Sequence, residues 1–337
     1  MVHRVVPHAV LPHAVLPHAV LLAALLWAAQ AGSQTPTWPG TTTLKFEVTA
    51  AAGGLTDIVP RALSNYLSAS LGVPVLVENR PGAGGNIAAA IVAKAQPDGH
   101  ALLSTGLNQA VNPTLLPNPG FDYERDLVPV SMAVSTKILL VASPSFPAKN
   151  ITDVIAIAKQ KPKSVSIAIS VIGTPNHLAA EMLAQYGDID LTFVPYDGIA
   201  KAIPDLIANR VDLAVGALPT MLPQVRSGAL KALAVTSPQR SALAPDIATS
   251  AEAGLPQMQL DSWICFMGTG ATPAPIIARL DEEIAKALAL PEVRDVFAKQ
   301  GIEIFYMNAE HLGNFLQSEA VRLSSLLKHS RVKGGSQ

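Results

Sequence analysis

Apolar and polar positions follow two alternating periods from Thr43 to the end of the chain. Short runs rich in Val, Ile and Leu have the length of strands. Longer stretches repeat their apolar residues every three to four positions, as a helix with one buried face does. Residues 44–49 read as a strand, and Leu55, Ile58, Val59, Ala62, Leu63, Tyr66 and Leu67 then mark one face of a helix. Residues 73–78 and 100–104 read as further strands, with a helix over 86–94 between them. Residues 127–143 form one long apolar run, too rich in Val for a helix, which predicts a strand crossing from one domain to another. In a second series, helices over 151–160, 175–186 and 199–209 alternate with strands over 165–169, 191–194, 211–215 and 230–235. Residues 262–268 suit a return crossing, and helices over 273–290 and 309–329 close the chain.

This order predicts an α/β fold with largely parallel sheets, built as two units joined by two crossings. The expected domains are 41–141 with 266–331, and 142–265, leaving 332–337 as a flexible tail. Open α/β sheets bind ligands at the carboxyl ends of their strands, so both units are expected to point loops into a shared cleft.

The N-terminal segment is expected to lie outside that fold. Arg4 is followed by the apolar run Ala19-Val-Leu-Leu-Ala-Ala-Leu-Leu-Trp27 and then by Ala29-Gln30-Ala31. A charged start, an apolar middle and a small-residue exit describe a secretory signal, here residues 1–31 with cleavage near Ala31. The run is too short for a membrane span, which needs about 20 apolar residues. Pro-His-Ala-Val-Leu repeats from Pro7, Pro12 and Pro17, but His8, His13 and His18 are five apart with prolines between, so they do not share a helix face. The repeat reads as a duplication in a leader and not as a metal tract.

The 337 residues carry 24 Lys and Arg against 25 Asp and Glu, a net charge of −1. Arg4 is the sole charge in the leader, so a processed chain is one unit more acidic. Near-neutrality with few aromatic residues argues against nucleic acid, which calls for a basic face. Cys265 is the single cysteine, which rules out an intrachain disulfide and a cysteine-built metal site.

Two strand-to-helix loops suit an anion. In Ala50-Ala-Ala-Gly-Gly-Leu-Thr-Asp57, Gly53 and Gly54 permit close backbone approach, and the helix start beyond them offers free N–H groups and a positive dipole end. Thr56 or Asp57 suits capping of that turn. In Ile172-Gly-Thr-Pro-Asn-His177, Thr174 fits the N-cap and Pro175 the first helical position. An anion there would meet the amides of Asn176 and His177 and the Thr174 hydroxyl. The His177 ring is as readily a polar group satisfied within the first turn.

No catalytic constellation is found. Gly82-Ala-Gly-Gly85 lies between a strand and a helix, but a dinucleotide fingerprint would need its third glycine at Ile87, and no Lys-Ser or Lys-Thr follows. It reads as a structural turn. H-E-x-x-H and G-x-S-x-G are absent, and beyond the leader only His100, His177, His311 and His329 remain, too scattered to name a triad.

At these residues the chain resembles the tripartite tricarboxylate transporter receptors, the Bug-type solute-binding proteins. The resemblance is carried by Gly53-Gly-Leu-Thr-Asp57 with Arg61, by Leu71-Gly-Val-Pro-Val-Leu-Val-Glu-Asn-Arg-Pro-Gly-Ala-Gly-Gly-Asn86, and by Ala93-Lys-Ala-Gln-Pro-Asp-Gly99. Asn112-Pro113, Gly173-Thr-Pro-Asn-His-Leu-Ala179, Pro195-Tyr-Asp-Gly198 and Val211-Asp-Leu213 extend it. The resemblance implies a two-domain type II periplasmic-binding-protein clamshell and a carboxylate held largely by backbone amides and water. The chain departs from the family pattern at Ala50, Ala51, Ala52 and Leu55, where proline is usual, at Pro60, where alanine is common, and at Asp197, often basic or neutral.

The expected function is therefore a periplasmic receptor that captures a dicarboxylate, amino acid or aromatic acid for a two-subunit membrane permease. It is expected to act as a monomer, without cofactor, metal, catalytic residue or nucleic-acid partner. A ligand sensor signalling to a membrane partner is the alternative, and an enzyme using the same cleft lacks a nucleophile–base pair. The candidate ligand residues are Ala52, Gly53, Gly54, Thr56, Asp57, Asn108, Thr174, Asn176, His177, Tyr196, Asp197 and Ala217. Tyr196 and Asp197 follow the strand at 191–194 and should face the cleft, where the Asp197 carboxylate would repel a second negative group or attract an ammonium; the alternative is that Asp197 points to solvent and caps the next helix.

Overall fold

A computed structural model describes residues 38–116, 118–170, 173–196 and 198–328, together with Met1 and His3. The chain divides into two compact units, Met1–Gly40 and Thr41–Gln337, and the α/β fold lies wholly within the second. The expected leader and its cleavage site, Ile172, Asp197 and the tail at 332–337 fall outside the described residues.

The first sheet is six-stranded among the described residues, in the order β11-β4-β10-β3-β1-β2. Strand β1 (Leu44–Val48) runs parallel to β2 (Val75–Asn79) and β3 (Ala101–Thr105). Strand β10 (Ser262–Thr269) lies antiparallel to both β3 and β4 (Leu127–Thr136), and β11 (Glu303–Met307) closes the edge beside β4. Helix α1 (Leu55–Leu71) buries Val59, Leu63, Leu67 and Leu71, one i, i+4 row, and ends at left-handed Gly72. Helices α2 (Asn86–Ala93) and α3 (Asn108–Leu115) follow β2 and β3.

The second sheet has the order β7-β6-β8-β5-β9, from β5 (Ile138–Ala142), β6 (Ser166–Ile169), β7 (Thr192–Pro195), β8 (Leu213–Ala217) and β9 (Lys231–Val235). Strands β6, β7 and β8 are parallel, and β5 is antiparallel to β8 and β9. Every residue of β5 is buried because apolar clusters cover both faces of this sheet, which is why its sequence does not alternate. Helices α4 (Ile151–Gln160) and α5 (Pro175–Tyr186) match their sequence-predicted bounds. The helix expected over 199–209 is instead a 3-10 turn, Ile199–Ala202, leading into short α6 (Ile203–Ile207). Pro204 lacks the N–H that a continuous helix would direct at Ala200. Helix α7 (Leu218–Arg226), with prolines at 219 and 223, escaped the sequence reading, as did α3. Helices α8 (Ala274–Ala289), α9 (Pro291–Lys299) and α10 (Ala309–Lys328) complete the chain.

One apolar core joins the two lobes. Leu103 and Met132 from the first sheet belong to the same cluster as Ile167 and Leu213 from the second, with Leu183 of α5 and Leu323 of α10 between. Across that junction Gln185 Nε2 donates to the Leu326 carbonyl at 2.9 Å. Cys265 sits at the middle of β10, opposite Thr105 and Met132, with no exposure, and burial pushes its thiol well above the usual range.

The chain changes sheets at Lys137, between β4 and β5, and re-enters the first sheet at β10, directly after Asp261. These two passages are tied together. Lys137 Nζ donates to Asp261 Oδ2 at 2.9 Å, with Glu303 Oε2 at 3.9 Å. Burial raises the Asp261 carboxyl, Glu303 and Glu319 push it further, and Lys137 opposes them. Lys137→Met should therefore leave a poorly solvated carboxylate without its cation and lower stability by about 1.5–3 kcal/mol. Urea unfolding checks this, and a loss within error of zero would mean that the pair contributes nothing at the crossing.

Candidate ligand cleft

The first loop leaves the carboxyl end of β1 and enters α1. Gly54 is the N-cap residue and makes no side-chain cap; the turn is closed from three residues further on. Asp57, only 3% exposed, accepts the Gly53 N–H at 2.9 Å, Arg61 Nε at 2.8 Å and Asn79 Nδ2 at 2.9 Å. Burial alone would raise this carboxyl, but those three donors and the Arg61 charge hold it below the ordinary carboxylate range. Asp57 thus faces its own loop, and the Gly53 amide, at φ +87°, is used by it. Ala52 and Gly53 remain exposed, and Leu55 and Thr56 lie in the first turn, where no intrahelical acceptor exists for their N–H groups.

Pro60 creates a further demand. Without an N–H it cannot donate to the Thr56 carbonyl one turn back. Ser104 Oγ, at the end of β3, makes that bond instead at 2.7 Å, and Thr49 Oγ1 donates to the Ser104 carbonyl at 3.2 Å. The Thr56 hydroxyl is buried with no hydrogen-bond partner among the described residues.

The Glu78 to Asn86 string braces this loop from the side. Asn79 Nδ2 also reaches the Ala50 carbonyl at 3.1 Å, Arg80 binds Glu47 at 3.2 Å, and the Gly82–Gly85 turn lies against Thr49. A Cβ on Gly85 would stand 3.0 Å from Thr49 Cβ, and Gly85 already has φ +97°, so the position requires glycine. Asn108 and Asn112 of α3 both donate to the Gly84 carbonyl, at 2.8 and 2.9 Å. The Asn108 amide nitrogen is therefore committed to the turn.

The second loop leaves β6 and enters α5, with Thr174 as N-cap and Pro175 at the first helical position. Thr174 Oγ1 lies 2.7 Å from Ser170 Oγ and accepts the His177 N–H at 3.5 Å, so the His177 amide is used by the cap. Asn176 Nδ2 reaches Ser170 Oγ at 3.4 Å. The His177 ring has no exposure and lies beneath the loop, where it accepts the Gly173 N–H. Gly173, at φ +83°, approaches the first lobe so closely that a Cβ there would stand 2.8 Å from Leu115 Cδ1 of α3. The second loop therefore abuts the lobe that carries the first.

Tyr196 donates its hydroxyl to Asp205 at 2.7 Å, beside the Arg210–Asp205 ion pair. Burial and the Asp205 carboxylate push the Tyr196 phenol up to about 12. Ala217 ends β8 and caps α7, next to Leu218, whose N–H donates to the Lys137 carbonyl at 2.8 Å. Ser104, Ser170 and Asn79 were absent from the sequence-based set. Pro60 was the available signal for the first, since its missing donor implies a replacement. An open cavity of about 360 Å³ beside the return crossing, lined by Asp261, Trp263, Phe315 and Arg322 among others, includes none of the loop residues.

A two-lobed α/β binding protein with helix-start loops offered by both lobes is what these observations define. The chain belongs to the tripartite tricarboxylate transporter receptor family, whose model matches residues 59–332. Protein BugT of Bordetella pertussis is 33% identical over 283 residues, 83% of this chain and 87% of that protein. The periplasmic binding protein BugD superposes with a TM-score of 0.72 at 32% identity, covering 85% of this chain and 96% of that one. Rpa4515 of R. palustris, solved with adipate, gives a TM-score of 0.75 at 29% identity over 86% and 97%. MatC of Rhodopseudomonas palustris, solved with bound malate, gives 0.72 at 29% over 85% and 98%. The family is one of periplasmic solute-binding receptors that work with tripartite transporters.

The Asp57 network sets a sign for pH dependence. A carboxyl held low in the folded state contributes stability that is present above the unfolded value of about 3.9 and lost as pH falls through the folded one. Asp57→Asn should thus be about 1.5–3 kcal/mol less stable than the parent at pH 7, with the gap closing below about pH 4. Denaturant titrations at both pH values measure it. A gap independent of pH would show that shape, and not charge, holds the loop.

Proposed function

We propose that this chain is an exported receptor that traps a small carboxylate between its lobes and delivers it to a two-subunit tripartite-type permease. The observation that carries this reading is that each lobe presents a glycine-containing helix start, at Gly53–Gly54 and at Gly173–Thr174, and that the second lies against Leu115 of the lobe that carries the first. Described side chains of both loops contribute no cation at residues 50–56 and 173–176. The attraction for an anion is that of amides and helix dipoles, which suits a carboxylate. The adipate and malate bound by two structural relatives support the same ligand class. Residues 1–31 serve in this reading as the export signal, the receptor acts as a monomer, and no cofactor takes part. Residues Ala52, Gly54, Thr56, Thr174 and Asn176 are the groups we assign to the ligand, with Asp57 and Asn108 holding the loop and turn behind them.

A ligand that binds the folded state alone raises the melting temperature by mass action. Thermal shift against mono- and dicarboxylates, including adipate and malate, should give a positive shift for at least one acid and none for sugars. The reverse pattern overturns carboxylate recognition. Thr174→Ala should weaken binding about ten- to a hundred-fold, as expected for a hydrogen bond to a charged carboxylate, while the lost cap lowers stability by only about 1 kcal/mol. Calorimetry on the variant showing parental affinity would remove the Thr174 hydroxyl from the ligand shell.

A further inference from the structure

His177 and Glu181 form a pair of titratable side chains without any exposure, one helical turn apart on α5, directly beneath the second loop. Two of its features are independent of each other. His177 Nδ1 accepts the Gly173 N–H at 3.3 Å, so that nitrogen carries no proton. The other ring nitrogen, Nε2, lies 3.5 Å from Glu181 Oε1 without a hydrogen bond of its own among the described residues. The Phe193 ring of β7, with its centroid 6.5 Å away, lies beside the imidazole. The Nδ1 edge of the ring therefore serves the loop, and the Nε2 edge lies toward Glu181 in the helix.

The loop needs such support. Gly173 is held at φ +83° and presses on Leu115, so its backbone sits in a conformation that only glycine adopts readily. Its N–H is directed inward, away from the cleft. Nothing in the helix ladder fixes that amide, because it precedes the N-cap. Thr174 follows it directly, so the orientation of its hydroxyl and of the first-turn amides depends on where Gly173 is pinned.

We propose that His177 is a positioning residue for carboxylate binding, which acts through the Gly173 amide and never touches the ligand. This rests on reading the second loop as a ligand loop, so its test includes a measurement that needs no ligand.

Two amide side chains divide the functions of the ring. His177→Asn places an oxygen near the position of Nδ1 and can still accept from Gly173, but it cannot reach Glu181. His177→Gln places its amide near the position of Nε2 and still faces Glu181, but it leaves Gly173 without an acceptor. A merely structural histidine predicts that Gln is better than Asn by every measure, since Gln keeps a polar group beside the buried Glu181. The positioning role predicts opposite orders for two readouts. Gln should have the higher melting temperature. Asn should keep both the slow hydrogen exchange of the Gly173 amide and affinity for adipate or malate within about threefold, whereas Gln should lose about tenfold in affinity.

Exchange at Gly173 read by NMR decides the bracing arm whatever the ligand is. Equal Gly173 protection in the two variants overturns the proposal. Protection that splits as expected while calorimetry gives equal affinities also overturns it, because the loop would then be braced to no effect on binding. If the parent protein binds neither acid, nor any other carboxylate tested, the receptor reading fails, and the role in binding proposed for His177 fails with it.

Discussion

A loop that offers its own amides to a ligand has to be held in place by something other than those amides. In the proposed function both helix starts are loops of this kind, and most of the polar side chains around them follow from that constraint. In the first loop the Asp57 carboxylate draws in Gly53, Asn79 and Arg61, and Ser104 takes over the carbonyl that Pro60 leaves without a donor. In the second, Ser170 and Thr174 share a hydroxyl contact while His177 holds Gly173 from beneath. Buried polar atoms without partners are costly, so each of these bonds also restricts the loop to one conformation. The first-turn amides of Leu55 and Thr56 remain available because side chains carry out the bracing.

The same division explains what the sequence disclosed. Helices α4 and α5 were legible to the residue, because Asn150 and Thr174 are N-caps, α4 has an apolar face behind its cap, and Pro175 marks the first position of α5. Helix α3 was not, since its buried set includes Gln109 and Asn112, polar residues whose burial depends on tertiary partners. Strand β11 was missed for a similar reason: it is an edge strand with Phe305 and Tyr306 exposed, so it lacks the signature of burial. The continuous apolar run over 127–143 announced a crossing, but the expected boundary at 141/142 falls within β5, and the chain changes sheets at Lys137; β5 is covered on both faces and β4 is mostly buried, so the run shows no break there. At the cleft, residue types indicated the loops, but not which groups face inward. Asp57, His177 and Asn108 have the chemistry of ligand contacts, and only the structure shows the partners they take: Gly53, Arg61 and Asn79 for Asp57, Gly173 for His177 and Gly84 for Asn108.

Two lobes that share a core and are joined by two passages have a limited range of relative motion. The Lys137–Asp261 pair ties the two passages together, and core residues of α5 and α10 join the lobes. A ligand contacting both loops would favour the arrangement in which both are within reach, as any ligand with differential affinity for two states does.

Cys265 gives the molecule a built-in reporter of a different event. Thiol reagents attack the thiolate, and burial at the centre of β10 both hides this sulfur and disfavours its ionisation. The strand centre is covered by β3 and β4 on either side, so alkylation of the native chain has to wait for the first sheet to come apart. As the only cysteine of the 337 residues, it labels at a rate that follows the opening of that sheet with no competing signal. A second cysteine introduced at an exposed position such as Ala52 would react on a wholly separate timescale, so one dye could distinguish surface attachment from breathing of the protein interior.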